Sequence, residues 1–221
     1  MSYRFTDLLP EDFSDSALRQ DVLTGLTQTP KSLPPKWFYD KAGSALFEDI
    51  TRLPEYYPTR SERSILQAEA ARIVALSGAR HLVELGSGSS EKTRLLLDHL
   101  PEAVYTALDV SESALRGAAD ALTLTYPGLR ISLVRADFEQ HLPLVLRDPH
   151  SSEGGRLVAF LGGTIGNLQP LERQAFLKAV REGLGPDDAF LLGADLVKSP
   201  DVLVPAYDDS AGVTAASTLI C

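Results

Sequence analysis

The stretch Leu82–Lys92, LVELGSGSSEK, sets an acidic residue, two glycines one residue apart and a serine-rich turn behind an apolar run. Glycines after a strand either permit a tight turn against the next helix or let backbone amides approach a ligand closely. The neighbouring residues narrow the choice of ligand. A nucleoside-triphosphate loop needs Gly-Lys followed by Ser or Thr, which this loop lacks. A dinucleotide loop needs a third glycine three residues after Gly88, where Glu91 stands. Glu91 at a helix start and Glu84 just before Gly86 both disfavour a pyrophosphate. An adenosine ligand with a positive centre and no phosphate suits the same acids, and S-adenosylmethionine is such a ligand. Lys92, one turn on, is either a solvated surface lysine or the partner of the ligand's methionine carboxylate.

Further candidates follow at regular intervals. Asp109 lies 23 residues after Gly86, where an acid grips ribose hydroxyls in nucleotide folds, or where it caps the helix beginning SESAL. Ser111 is available for the cap, which leaves Asp109 to a ligand. Asp137 and Phe138 either hold and stack an adenine ring or are a loop aspartate and a core phenylalanine. The run FLGGTIGNL offers a bare glycine loop with Asn167 as its one strongly polar side chain. An amide there donates and accepts, as an amino-acid substrate requires, although a turn asparagine reads the same way. His81, His99, His141 and His150 have no metal-ligand spacing, and the single cysteine, Cys221, adds nothing, so no metal site is expected.

These residues need elements to carry them. Apolar runs at His81–Leu85, Val104–Val110, Ile131–Ala136, Leu157–Leu161 and Ala189–Ala194 alternate with helical patterns at Glu91–Leu100, Ser111–Leu124 and Leu171–Leu184. That alternation predicts an α/β, Rossmann-like domain with five parallel strands and a ligand at their carboxyl ends. Residues 1–60 read as irregular, with a short helix at Ser16–Leu26 and another from about Asp40. Thr59 and Glu62 match a capping box, Leu66, Ala70, Ile73 and Val74 share one helical face, and Gly78 ends that helix.

Composition excludes other classes. With 221 residues, 44% hydrophobic and a net charge of −9 without basic clusters, the chain suits neither nucleic acid nor an anionic membrane surface. No apolar run reaches the roughly 20 residues needed to cross a bilayer, and MSYRFTDLLPEDF has no signal-peptide pattern. One cysteine fits a reducing cytoplasm.

The strings KSLPPKWFYDKAGSALFEDITRLPEYYPTR, LVELGSGSSEKTR, FLGGTIGNL and PAYDDSAGVTAA together resemble the L-histidine Nα-methyltransferase family over about residues 20–216. That family makes trimethylhistidine (hercynine), the first step toward ergothioneine, with S-adenosylmethionine as methyl donor. The resemblance implies a class I methyltransferase domain at 61–205. It also implies a substrate domain whose N-terminal segment is 1–60 and whose C-terminal part begins at 206–221. Carried over by position, Gly86, Lys92, Asp109, Asp137 and Phe138 would contact the cofactor. Tyr39 would lie beside methyl transfer, Tyr56 would face the imidazole, and Asn167 and Tyr207 would hold the amino acid's amine and carboxylate. Without the resemblance, each tyrosine reads as an interface aromatic with a wet hydroxyl. The family implies a monomer. It also runs on beyond Ala216, so the chain is expected to lack its last strands and part of the imidazole pocket, with impaired activity; the alternatives are a methyltransferase for another small amine, or an inactive fragment that only binds cofactor or a partner.

Overall fold

The computed structural model describes residues 3–10, 13–39, 41–100, 103–147 and 154–219. In order come β1 (Tyr3–Asp7), α1 (Phe13–Thr27), a 3-10 turn (Pro35–Tyr39), α2 (Lys41–Arg52) and α3 (Tyr57–Ser77). There follow β2 (His81–Leu85), α4 (Thr93–Leu97), β3 (Val104–Asp109), α5 (Glu112–Thr125), β4 (Arg130–Arg135) and α6 (Phe138–Leu146). The series ends with β5 (Arg156–Phe160), a 3-10 turn (Thr164–Asn167), α7 (Pro170–Gly183), β6 (Ala189–Leu192), α8 (Pro200–Tyr207) and α9 (Val213–Leu219).

Two compact units result, one of residues Met1–Leu8 with Ser61–Asp195, the other of Leu9–Arg60 with Leu196–Cys221. The first is a parallel sheet of order β1-β4-β3-β2-β5-β6 with helices on both faces. On one face Leu66 and Ala70 of α3 and Leu115, Ala119 and Leu122 of α5 join Leu82, Tyr105 and Leu157 of the strands. On the other, Leu142 and Leu146 of α6 and Phe176 and Val180 of α7 join Val83, Leu85, Val158 and Phe160. The central strands β2 and β5 are buried along their whole length, as a sheet covered on both sides demands.

Several sequence expectations change. The sheet has six strands, not five. Residues 3–7, read as irregular, form β1 and pair with β4 from Tyr3↔Ile131 to Asp7↔Arg135. The strand is short and its burial is mixed, so only Tyr3 and Phe5 point to the core cluster. Residues 1–8 therefore go with the sheet rather than with 9–60, and 196–205 go with the second unit rather than with the sheet. The helix read at Glu91–Leu100 shrinks to Thr93–Leu97. Between β4 and β5 lies α6, in spite of Pro143 inside it. The capping box of Thr59 and Glu62 does not form, because the helix begins at Tyr57 and the Glu62 carboxylate bonds elsewhere. Such a backward bond exists at α7 instead, where the Gln169 amide donates to the Glu172 carboxylate at 2.7 Å. Gly78 does end α3, at φ +60 with its amide on Val74 oxygen.

In the second unit Trp37 stacks on Phe13, with centroids 6.4 Å apart, and donates through Nε1 to Asp21 at 2.9 Å. Asp209 caps α9 by accepting from the Val213 and Thr214 amides at 3.0 and 2.8 Å, and those bonds hold its carboxyl down at about 2. Among the described residues no helix is long and apolar enough to cross a membrane, and no group of three or more His, Cys, Asp or Glu could hold a metal ion. Asp40, His150 and Cys221 lie outside the described residues.

Candidate functional site

Strand order reverses between β2 and β5: from β2 the chain winds out to β3 and β4, then returns to the other side of β2 as β5. Loops leaving the carboxyl ends of β2 and β5 must therefore diverge, which opens a crevice where α/β sheets bind ligands. The glycine loop and FLGGTIGNL are those two loops.

The first loop is tightly fixed. Gly86 and Ser87 donate their amides to Leu108 oxygen at 2.8 and 3.1 Å, and Gly88 donates to Asp109 Oδ2 at 3.0 Å. Asp109 Oδ1 accepts the Ser111 amide at 2.9 Å, while the Ser111 hydroxyl caps α5 by accepting from Ala114. Ser111 thus takes the capping role, as expected, and Asp109 bridges the ends of β2 and β3. Burial raises the Asp109 pKa, against which the Ser111 and Gly88 amides pull down. Gly86 and Gly88 have φ of +70 and +49, and a Cβ on either would meet nothing within 4 Å. Positive φ explains the glycines, and the open space leaves the backbone approachable.

Beneath the loop runs a buried polar network. The Tyr105 hydroxyl donates to Glu84 at 2.7 Å and lies 2.9 Å from Ser90 Oγ, and the Thr93 hydroxyl also donates to Glu84. Burial pushes Glu84 up to about 7 even though both hydroxyls favour its charged form. Glu84 is buried under the loop, and Glu91 is paired with Arg63.

Lys92 is paired with Glu62, whose carboxylate also accepts the Gly162 amide at 2.8 and 3.0 Å. Asp137 is buried and caps α6, accepting the Glu139 amide at 2.9 Å. The Phe138 ring packs edge-on against Phe160 and Phe176, with centroids 5.3 and 5.7 Å away. Asp137 thus caps α6 while Phe138 packs on the core just after the end of β4. Asn167 ends the 3-10 turn after β5 and is exposed.

In the second unit Tyr56 is buried and forms edge-on contacts with Phe47 and Tyr207, at 6.3 and 5.8 Å. Tyr207 is 57% exposed, so its ring is anchored while much of it faces solvent. Arg60 donates to the oxygens of Leu53, Pro54 and Tyr56, which fixes the LPEYYP turn. Tyr39 closes the first 3-10 turn, and its side chain lies outside the described part of the structure.

A family model for histidine-specific, S-adenosylmethionine-dependent methyltransferases matches residues 18–219. The chain is 53% identical over 220 residues to the histidine N-alpha-methyltransferase of Mycolicibacterium smegmatis, covering 98% of this chain and 67% of that one. The chain belongs to the histidine-specific methyltransferase family. The histidine N-alpha-methyltransferase of Mycobacterium tuberculosis is 52% identical, with 94% of this chain and 64% of the relative covered. The chain thus spans about two thirds of the length of these mycobacterial relatives. "Ergothioneine biosynthesis protein 1" of Neurospora crassa is 34% identical over 84% of this chain and 22% of its own. The fold alone is shared with a DUF574-family protein from Streptomyces avermitilis, at TM-score 0.59 and 16% identity, covering 81% of this chain and 71% of that one.

The cofactor of this methyltransferase family, S-adenosylmethionine, can be tested against the loop. Ser87 Oγ is buried and has no hydrogen-bond partner among the described residues, an orphaned group of the kind a ligand satisfies. The unobstructed Gly86 and Gly88 backbone and the Asp109 carboxylate lie beside it. These residues fit an adenosine ligand. Glu62 escaped the sequence reading, because its partners Lys92 and Gly162 are 30 and 100 residues away and the capping-box pattern offered a local use for it.

Proposed function

We propose that the chain transfers methyl groups from S-adenosylmethionine to the α-amine of L-histidine, giving trimethylhistidine on the route to ergothioneine. The observation that carries this reading is Asp109 bonded to the Gly88 amide at the crevice between β2 and β5. Family membership and the relatives' printed names support the substrate and the pathway. When bound, S-adenosylmethionine supplies an electrophilic methyl group on a positively charged sulfur.

The chain's own residues then do three things. Gly86, Asp109, Asp137 and Phe138 hold the adenosine part, and Lys92 takes the methionine carboxylate. By position in the family's strings, Tyr56 is the candidate for the histidine ring, Asn167 and Tyr207 are candidates for its amine and carboxylate, and Tyr39 is the candidate beside the reacting amine. The unit containing the three tyrosines serves as the substrate domain. The amine attacks in its neutral form, and pairing the substrate's own carboxylate with the protein removes the charge that holds the ammonium proton, which eases deprotonation. Alignment of the amine supplies most of the rate. The single cysteine supports the reducing cytoplasm as the compartment.

The test is to incubate the chain with S-adenosylmethionine and a panel of amino acids and follow products by mass spectrometry. Mono-, di- and trimethylhistidine in succession support the reading. Methylation of another amine in preference to histidine would replace the substrate and leave the cofactor assignment standing. Asp109→Ala should weaken S-adenosylhomocysteine binding by about 1–3 kcal/mol, the range for bonds to a charged acceptor. Equal affinity by calorimetry would remove Asp109 from the site.

A further inference from the structure

Glu62 ties together four pieces of the sheet unit. It stands near the start of α3 and reaches over the sheet's carboxyl edge. Its carboxylate pairs with the Lys92 ammonium at the head of α4, and both side chains are mostly buried, 16% and 21% exposed. The same carboxylate accepts the Gly162 amide at the end of β5 through both oxygens. Beyond β6, a Cβ placed on Gly193 would come 2.1 Å from Glu62 Oε1, so that position has room for the carboxylate only because it is glycine. Lys92 Nζ in turn lies 3.6 Å from where a Gly162 Cβ would stand. One acid thus fixes the lysine on one side of the crevice and the glycine loop on the other.

A carboxylate with three such contacts is not a surface ion pair of negligible effect. Exposed pairs contribute little, but a mostly buried acid that also accepts a backbone amide is held in one place. Holding Lys92 matters because a long lysine chain is otherwise free over many rotamers, and a ligand that must order it loses affinity in proportion.

On the reading that Lys92 receives the methionine carboxylate, we infer that Glu62 is a positioning residue of the cofactor site: it presets Lys92 and the Gly162 loop for the amino-acid end of S-adenosylmethionine. Glu62 acts through Lys92 and Gly162, and its effect is confined to ligands that have an amino-acid end.

Two ligands separate this role from a merely structural one. S-adenosylhomocysteine has the amino-acid end, and 5′-methylthioadenosine shares the nucleoside and thioether but lacks that end. Calorimetry on the full chain should give Glu62→Ala a loss of about tenfold or more for the former and a change within about twofold for the latter. Glu62→Gln keeps an acceptor for Gly162 but no charge for Lys92, and should fall between wild type and Glu62→Ala while keeping the wild-type melting temperature. In a Lys92→Met background the Glu62→Ala effect on S-adenosylhomocysteine should largely disappear. Equal losses for both ligands in both Glu62 variants would overturn the inference in favour of a structural role. Tighter S-adenosylhomocysteine binding by either variant would overturn it too, as expected if Glu62 only competed for Lys92. If wild type bound neither ligand, the cofactor reading itself would fall, and this inference with it.

Discussion

Glu84 is the residue at which the chemistry of the loop meets the core. Its carboxyl is buried at a pKa of about 7, against an ordinary value of 4.5, because desolvation outweighs two hydroxyl donors. A raised acid favours its neutral form in the folded chain. Its favourable contribution is therefore complete below about pH 4.5 and is lost as pH rises through 7. The loss is on the order of 3 kcal/mol. Glu84→Gln keeps an oxygen for the Thr93 and Tyr105 hydroxyls and cannot ionise. Urea titrations across pH 4.5–8 should show stability falling in wild type relative to the variant over that window. Parallel curves would mean that Glu84 does not titrate there. At this scale much of the site was legible, since the spacing of Gly86, Gly88 and Asp109 is local chemistry written along one loop and the next strand end. Glu62 was not, because nothing in a chain read one residue after another brings position 62 to position 162.

Arg156 governs an element-scale arrangement. From the first position of β5 it donates to Leu146 oxygen at the end of α6 and to Gly183 oxygen at the end of α7, at 2.5 and 2.8 Å. It also pairs through Nε with Asp188 at 3.0 Å, and both side chains are buried. A single cation therefore closes the carbonyl ends of two helices, where positive charge is favoured, and neutralises the acid ahead of β6. Arg156→Ala should cost roughly 3–5 kcal/mol in chemical denaturation, because it strands a buried carboxylate. A loss under about 1 kcal/mol would show that water takes over the arginine's place. Elements were legible where an apolar run is continuous, as in β2, β5 and β6, or where helical periodicity is long, as in α5. They were not where polar and apolar residues mix, as in β1, or where only half of a helical-looking run is helix, as in α4.

For the whole molecule the two sheet edges differ. β1 carries Arg4 and Asp7, charges that discourage pairing with another chain. β6, AFLL, has none, and Leu192 is 39% exposed on that edge. Leu192→Lys should leave the circular dichroism spectrum unchanged and raise the concentration at which light scattering reports aggregation. Aggregation unaltered by the charge would place the sticky surface elsewhere.

β1 also has a consequence for how the chain comes into being. Asp7 and its partner Arg135 are 128 positions apart, so β1 is translated well before the strand it pairs with. At about 5–20 residues per second, the ribosome leaves it waiting for roughly 6 to 26 s. During that interval Tyr3 and Phe5 have no β4 to pair with, and β4, once made, has an open flank until β1 returns to it.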